Sequence, residues 1–287
     1  MTLLQSFILA VVEGLTEYLP VSSTGHLIIT SALMGINEDP FTKDFTVIVQ
    51  FGAILSVLVL YWRRFLTSLD LYYKLLIGFL PAAVIGFLMK DSIDRLLGDV
   101  VVVAWALIIG GVALILIDRV MAKEDLGAAL ASAIGRANES AFNDPGSRES
   151  KLAPTTTYSY MQALVIGVFQ CLAFIPGVSR SASSIVGGLV VGLNRKSAAE
   201  FSFFLAVPTL SAASAYKLLK VYQTIEPGQI PLIAFGNVVS FIVGILTIRS
   251  FVGFLTRRGF FVFGVYRIIL GAIILVLLAT GHSLRMM

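Results

Sequence analysis

The sequence EGLTEYLPVSSTGH, at residues 13–26, places two acids, a proline, four serine or threonine residues and a histidine inside an apolar region. On either side, residues 3–12 and 27–36 contain no charged residue. Pro20 ends a helix because proline lacks the N–H group and clashes with the preceding turn. Each half of this region is then too short to cross a bilayer, which takes about 20 residues. We therefore predict a re-entrant hairpin over residues 1–36, whose two short helices enter the membrane and return to the same side.

The composition of the whole chain agrees with a lipid environment. The 287 residues are 57% hydrophobic and 13% charged, whereas soluble domains are about 25% charged. The mean hydropathy of +0.91 excludes a soluble enzyme. The net charge of +4 comes largely from basic residues at the ends of apolar runs, which orient a membrane protein and do not indicate nucleic-acid binding. The single cysteine, Cys171, excludes an intramolecular disulfide. Because no basic residue precedes Lys43, we expect residues 1–30 to be retained and not cleaved as a signal peptide.

Six further apolar segments are long enough to span a bilayer. They lie at about residues 45–62, 73–89, 100–117, 200–219, 231–250 and 261–281. A second interrupted region, residues 158–193, contains PGVSRSASS at 176–184 and predicts a second re-entrant hairpin. The predicted fold class is an all-α polytopic membrane protein with six transmembrane helices and two re-entrant helix hairpins.

The two interrupted regions open two similar halves, residues 1–120 and 158–287, of one integral membrane domain. PVSS at 20–23 aligns with GVSR at 177–180 at an offset of 157. Each half has one hairpin and three spans, and because three is odd we predict an inverted-topology repeat. The polar residues 121–157 read as a cytoplasmic connector. By the positive-inside rule both termini and the mouth of the first hairpin lie outside, and the second hairpin opens toward the cytoplasm.

Ionisable residues inside the two hairpins indicate where function lies. Glu13, Glu17, His26 and Arg180 fall there, and a charge at the bilayer centre costs about 3 kcal/mol even on insertion scales. We expect these side chains to face one another or a polar cavity. A purely structural alternative is a glutamate–arginine ion pair that locks the hairpins together.

The residue types around these charges favour an anionic ligand. Glu13 and Glu17 are one helical turn apart, and carboxylates that close need a cation between them or a shared proton. Oxygen ligands favour Mg²⁺ or Ca²⁺. The hydroxyl residues at 22–24 can cap the following half-helix, whose free N–H groups suit an anion. With the planar donor fork of Arg180, the pattern predicts a phosphate or diphosphate site.

Three motifs resemble a known family: ExxxE at 13–17, PVSSTGH at 20–26 and PGVSRS at 176–181. They are similar to the signatures of the bacterial undecaprenyl pyrophosphate phosphatases linked to bacitracin resistance. The resemblance covers nearly the whole chain outside the connector and includes Tyr266 and Arg267; Ser184 stands where threonine is expected. It implies hydrolysis of undecaprenyl diphosphate, a polyprenyl diphosphate lipid, to undecaprenyl phosphate and inorganic phosphate. It also implies a divalent metal, the bacterial inner membrane, and a site opening to the outer face.

The resemblance and the residue chemistry together assign roles to the motif residues. The predicted catalytic residues are Glu17, Ser23, His26 and Arg180, and the predicted metal ligands are Glu13 and Glu17. The predicted contacts to substrate phosphate are Ser22, Thr24, Gly25, Gly177, Ser179, Ser181 and Arg267.

The sequence leaves three nucleophiles open. Ser23 is our choice, with Glu17 or His26 as its base; His26 or a metal-bound water are the alternatives. A second class of function, a flippase or transporter of a phosphate-bearing lipid or anion, also uses inverted repeats with broken helices. Paired carboxylates beside Ser23 and His26 favour hydrolysis, because transport does not require them. Prenyl chain length, metal identity and oligomeric state, a homodimer included, are not determined by the sequence.

Overall fold

The computed structural model describes residues 1–97, 99–139 and 158–281, with side chains described except at 94, 95, 97 and 123–139. Every regular element within these ranges is helical. Thirteen α-helices occur there: α1 (Leu3–Thr16), α2 (Ser23–Leu33), α3 (Pro40–Ile48), α4 (Gln50–Leu60), α5 (Trp62–Thr67), α6 (Leu69–Leu88), α7 (Lys90–Leu97), α8 (Val100–Glu139), α9 (Tyr160–Gln170), α10 (Arg180–Val190), α11 (Arg195–Val221), α12 (Ile230–Arg258) and α13 (Phe261–Ala279). Short 3-10 helices lie at Cys171–Phe174 and Pro227–Gln229.

The six predicted spans are confirmed as helices long and apolar enough to cross a membrane. Within the described residues they are Pro40–Leu60, Leu69–Leu88, Val100–Ala122, Arg195–Val221, Pro227–Arg258 and Phe261–Ala279. Large apolar side chains cover the outside of the molecule; Phe87, Leu33 and Leu69 are 84%, 77% and 77% exposed. So much exposed apolar surface is unfavourable in water and is typical of contact with lipid.

Two pairs of short helices stand apart from the spans. The first pair is α1 and α2, of 14 and 11 residues, and the second is α9 and α10, of 11 residues each. All four are shorter than the about 20 residues that a spanning helix needs. The predicted re-entrant regions are thus helix pairs joined by a turn, and the two turns lie at residues 17–22 and 175–179.

The two pairs share conformational details at equivalent positions. Both open on a capping box, at Thr2 with Gln5 and at Ser159 with Gln162. Both second helices have a serine N-cap with positive φ, Ser22 at 71° and Ser179 at 77°, and these are the two non-glycine residues with positive φ in the described chain. Both pairs end in a glycine with positive φ, Gly35 and Gly192. Each of these equivalent positions is separated by the offset of 157 seen in the sequence.

Aromatic packing holds the first turn in place. The ring of Tyr18 is fully buried and meets Phe203 of α11 edge-on, with the ring centroids 5.3 Å apart. Its hydroxyl donates to the carbonyl of Ala53 on α4. Tyr18, which lies in the first turn directly after Glu17, is therefore fixed to two spans, so that the turn has a defined position.

Close helix packing positions α13 against α8. A Cβ atom built at Gly111 would lie 2.6 Å from the Gly264 carbonyl oxygen, so only glycine allows this approach. Arg267 lies three residues after Gly264 on α13, so the same close approach brings Arg267 against α8.

The helix α8 extends beyond its membrane span into the predicted connector. It reaches Glu139, so the first part of residues 121–157 is helical and the remainder lies outside the described residues.

Candidate functional site

The two turns meet in the interior of the molecule and carry most of the predicted site residues. The Ser181 hydroxyl, fully buried, donates to the Leu19 carbonyl at 2.7 Å and joins the second helix pair to the first turn. The ion pair between Glu17 and Arg180 makes a second connection. Residues that are more than 150 positions apart in sequence thus form one site.

Glu17 is the centre of this site. Its Oε2 atom accepts a hydrogen bond from the Ser23 hydroxyl at 2.7 Å. Its Oε1 atom accepts from Nε and Nη2 of Arg180, at 3.2 and 3.0 Å. Because Glu17 is 5% exposed, its charge is stabilised mainly by these two partners and little by water.

The ion pair is held on its far side by α11. Arg180 Nη1 donates to the Ser202 carbonyl at 2.9 Å, and the Ser202 hydroxyl lies 2.7 Å from that of Ser184. Ser202 was not predicted as a site residue, since a serine inside an apolar span gives no signal of its own. The arrangement fixes the guanidinium plane while leaving the Ser23 hydroxyl beside it.

Glu13 has no such support. It is fully buried one turn before Glu17 on α1, and neither carboxylate oxygen has a hydrogen-bond partner among the described residues. Buried carboxylates need a proton, a cation or hydrogen-bond donors. Glu13 is thus able to take up a ligand or a proton.

The predicted divalent metal would have the two carboxylates, Glu13 and Glu17, as its protein ligands. No group of three or more His, Cys, Asp or Glu side chains in the described chain is arranged to hold a metal ion. Mg²⁺ is commonly bound by one or two carboxylates together with water and substrate phosphates. Glu13 and Glu17 therefore supply as many protein ligands as such a site requires.

His26 lies on α2 and is held by two partners. Its Nδ1 atom is 2.7 Å from the Ser22 carbonyl, which can only accept, so Nδ1 carries the proton. Nε2 is 2.6 Å from the Tyr266 hydroxyl, and the two rings stack with centroids 5.5 Å apart. Tyr266 belongs to the resemblance noted in the sequence but was not predicted as a site residue.

The predicted phosphate-binding residues divide into two groups. Ser22 and Ser179 are the N-caps of α2 and α10 and use their hydroxyls to accept the Gly25 and Ala182 N–H groups. Thr24 is half-buried in the first turn of α2, where helix N–H groups lack intrahelical acceptors. The other four, Gly25, Gly177, Ser181 and Arg267, contribute to packing or to the geometry of the turns.

Gly177 allows the second turn to approach α8. Its φ is 92°, and a Cβ atom there would lie 2.5 Å from the Val103 carbonyl oxygen. Gly25 likewise packs on α8, since its Cβ would lie 3.2 Å from Leu107 Cδ1. The Ser181 hydroxyl donates its hydrogen bond to the Leu19 carbonyl.

Arg267, also predicted to bind phosphate, lies behind the two turns. It is 0% exposed, and its guanidinium donates to backbone carbonyls of both turns and of α8. Arg267 is therefore surrounded by backbone carbonyls. None of its hydrogen bonds among the described residues is to Ser23, Glu17 or Arg180.

An apolar cavity of about 320 Å³ adjoins His26. It lies between the first turn and the start of α13. Its lining residues are Leu15, Thr16, Leu19, Val21, His26, Val262, Phe263 and Tyr266. The cavity offers hydrocarbon contact next to a polar centre.

Fold and site together define a multi-pass membrane protein with a buried hydroxyl–carboxylate–guanidinium centre. A hydroxyl that donates to a carboxylate next to an arginine suits nucleophilic attack on a phosphorus centre.

Comparison with known proteins places the chain in a family. The family described as bacitracin resistance protein BacA matches residues 6–273, and the chain belongs to it. The undecaprenyl-diphosphatase of Bdellovibrio bacteriovorus is 51% identical over 286 residues and covers 100% of both chains. Those of Flavobacterium johnsoniae and Campylobacter jejuni are 48% and 40% identical, covering 99% and 97% of this chain and 99% and 95% of their own. The family predicted from the motifs is confirmed.

Proposed function

We propose that this protein is an undecaprenyl-diphosphate phosphatase, which hydrolyses undecaprenyl diphosphate to undecaprenyl phosphate and inorganic phosphate. Relatives of that name match the chain from end to end. The single observation that carries the mechanism is the Ser23 hydroxyl donating to Glu17 at 2.7 Å, while Arg180 pairs with the same carboxylate. The product lipid is the carrier for cell-wall synthesis, and its recycling accounts for bacitracin resistance.

The reaction proceeds in two displacements. Ser23 Oγ attacks the terminal phosphorus, its proton passes to Glu17, and the bond from that phosphorus to the bridging oxygen breaks to release undecaprenyl phosphate. The departing undecaprenyl phosphate takes up that proton, which restores the Glu17 carboxylate. Water then attacks the phosphoserine and gives a proton to Glu17, and Glu17 passes this proton to Ser23 Oγ as the bond from phosphorus to the serine oxygen breaks and inorganic phosphate leaves. Arg180 and the N–H groups that begin α2 and α10 stabilise the charge on the phosphoryl oxygens.

His26 is better placed to orient the site than to act as the base. Both of its ring nitrogens have partners, the Ser22 carbonyl and Tyr266, and Ser23 donates to Glu17. Of the three nucleophiles that the sequence leaves open, this geometry favours Ser23.

Glu13 and Glu17 would hold the divalent cation, Mg²⁺ or Ca²⁺. The unpartnered oxygens of Glu13 support this role. A bound cation would neutralise phosphate charge. The protein's own part is to hold two buried carboxylates one helical turn apart, Glu13 on α1 and Glu17 at its C-cap.

The first isoprene units of the substrate fit the cavity beside His26. Its lining is almost entirely apolar, and a prenyl chain entering there would leave its diphosphate near the polar centre. This adjacency suits a lipid substrate and is not needed for a free anion, so hydrolysis of a lipid is favoured over anion transport.

The proposed orientation in the membrane rests on the two helix pairs and on the positions of the basic residues. The two short helix pairs act as re-entrant hairpins, and their equivalent caps and positive-φ residues at the offset of 157 support an inverted repeat. The protein lies in the bacterial inner membrane, with the first hairpin and the active site open to the periplasmic side.

Phosphate release from a prenyl diphosphate by purified protein in detergent tests the function. We expect the Ser23→Ala variant to lose about a thousandfold or more in kcat, and Ser250→Ala, an exposed serine on α12, to match wild type. Acid quenching of wild type with labelled substrate should yield phosphoserine at 23. Wild-type turnover by Ser23→Ala, or label on His26, would contradict Ser23 as the nucleophile. If a chelator leaves turnover unchanged, the proposed divalent cation is not required.

A further inference from the structure

We propose that Arg267 is a positioning residue that fixes both phosphate-binding turns at once; this inference rests on the proposed function. All five N–H groups of its guanidinium have carbonyl acceptors. Nη1 donates to Pro20 at 3.2 Å and Val178 at 2.9 Å, and Nη2 donates to Gly177 at 3.0 Å and Ala106 at 3.2 Å. Nε donates to Leu107 at 3.4 Å.

These acceptors belong to three separate segments. Pro20 is in the first turn, Gly177 and Val178 are in the second, and the other two carbonyls are on α8. One side chain from α13 thus connects both turns to the same span. The Ser181 hydroxyl also bonds to both turns, at the Leu19 carbonyl and the Ser179 hydroxyl, but it makes no bond to α8.

The bonded carbonyls control the direction of the neighbouring N–H groups. The Val178 carbonyl and the Ser179 N–H belong to one planar peptide, in which the two bonds point in opposite directions. Holding that carbonyl behind the turn therefore aims the N–H forward, at the start of α10. Ser179 has positive φ, a conformation that is unfavourable for a non-glycine residue and persists only when the surroundings enforce it.

Arg267 also keeps a net positive charge at this place. It is 0% exposed, and no carboxylate oxygen of the described residues lies within 4.0 Å of it. Carbonyl dipoles satisfy its hydrogen bonds without cancelling its charge. An anionic diphosphate in front of the turns is attracted by this charge, although every Arg267 donor is already used and direct contact is not required.

The site for the guanidinium exists because residue 110 is glycine. A Cβ atom at Gly110 would lie 2.2 Å from Arg267 Nη2 and 2.9 Å from Cζ. Gly110→Ala therefore displaces the guanidinium without changing charge or touching either turn. Gly253 on α12 has nothing within 4 Å of its Cβ position and gives the matched control, Gly253→Ala.

Hydrogen–deuterium exchange of the purified protein, without substrate, tests the connection. In Gly110→Ala and in Arg267→Lys we expect faster exchange in two remote peptides, residues 18–25 and 176–183, and no change in Gly253→Ala. In the hydrolysis assay we expect kcat to fall about 10- to 100-fold, the size of effect that a misplacement of about 1 Å produces. KM and inhibition by inorganic phosphate should change less than kcat, because Arg267 itself makes no direct contact with phosphate.

The outcomes separate this inference from the proposed function. Faster exchange in both turns in a protein that hydrolyses no prenyl diphosphate would support positioning and overturn the function. Unchanged exchange in both turns, or a change confined to α8 and α13, would overturn positioning. A rise in KM and weaker phosphate inhibition with unchanged kcat would show direct phosphate contact and would also overturn it.

Discussion

Glu17 has two carboxylate oxygens, and each has a separate partner. Oε2 accepts from Ser23 and Oε1 accepts from Arg180. Arg180 holds one side of the buried carboxylate in place, and the other side is left facing the serine proton. A structural ion pair alone would not need the serine, so the position of Ser23 is what separates a catalytic from a merely locking role.

We expect the Glu17→Gln variant to lose about 10²- to 10⁴-fold in kcat, the usual contribution of a general base. The amide cannot take the serine proton and no longer balances Arg180. Initial rates of phosphate release at saturating substrate measure this, and Glu38→Gln, an exposed site, is the control. A variant that keeps more than about a third of wild-type kcat would exclude Glu17 as the base.

The Tyr266→Phe variant should have a smaller effect. It removes the hydroxyl bonded to His26 Nε2 but keeps the stacked ring. One neutral hydrogen bond is worth about 0.5–1.5 kcal/mol, so we expect kcat to fall by up to about tenfold. The exposed Tyr73 provides Tyr73→Phe as the control. If both variants behave like wild type, the tyrosine does not orient His26.

At the residue scale, the sequence was sufficient to predict those site residues whose chemistry is unusual in a membrane. Charges in hydrocarbon need partners, so Glu17, Ser23 and Arg180 were predicted together, and the structure brings them together. Ser202 acts through its backbone carbonyl toward Arg180, and a backbone group has no sequence signal. The position of Arg267 depends on where the carbonyls of three distant segments lie, which only the packed chain defines.

Among the elements, the two turns are the least regular and the most informative. The spans follow from hydrophobicity. Even Pro81 and Pro208 lie within helices α6 and α11, as prolines commonly do in membrane helices. Helix ends were predicted less accurately. The first span begins at Pro40 after the Asp39 cap, not at 45, because polar residues at a cap lower the local hydrophobicity.

The turns permit a paired test of backbone strain and contact. Gly35 and Gly177 both have positive φ, but only Gly177 has neighbours close to its Cβ position. Gly35→Ala should cost about 1–2 kcal/mol for the left-handed conformation. Gly177→Ala should cost about 1–3 kcal/mol more for overpacking against Val103. Thermal unfolding in detergent measures both; equal midpoints would mean that the second turn moves freely away from α8.

On the scale of the whole molecule, the arrangement across the membrane follows from the positions of charges and is directly testable. Single cysteines at Glu38 and Lys196, both exposed, are introduced in the Cys171→Ala background. We expect an impermeant maleimide to label Glu38→Cys in intact spheroplasts and Lys196→Cys only after lysis, since the positive-inside rule puts them on opposite sides. Labelling of both in intact spheroplasts would contradict the inverted repeat.

The distribution of Glu13, Glu17, Arg180 and Arg267 between the two halves has a consequence for biosynthesis. The ribosome delivers both acids to the bilayer before either arginine has been made. A buried carboxylate is costly without donors around it, and the donors that Glu17 uses in the folded protein are missing at that stage. Glu17 meets its ion-pair partner only when Arg180 is in place beside it. The catalytic centre therefore forms only after the second half of the chain has been made, and a nascent chain stalled in the connector lacks this centre.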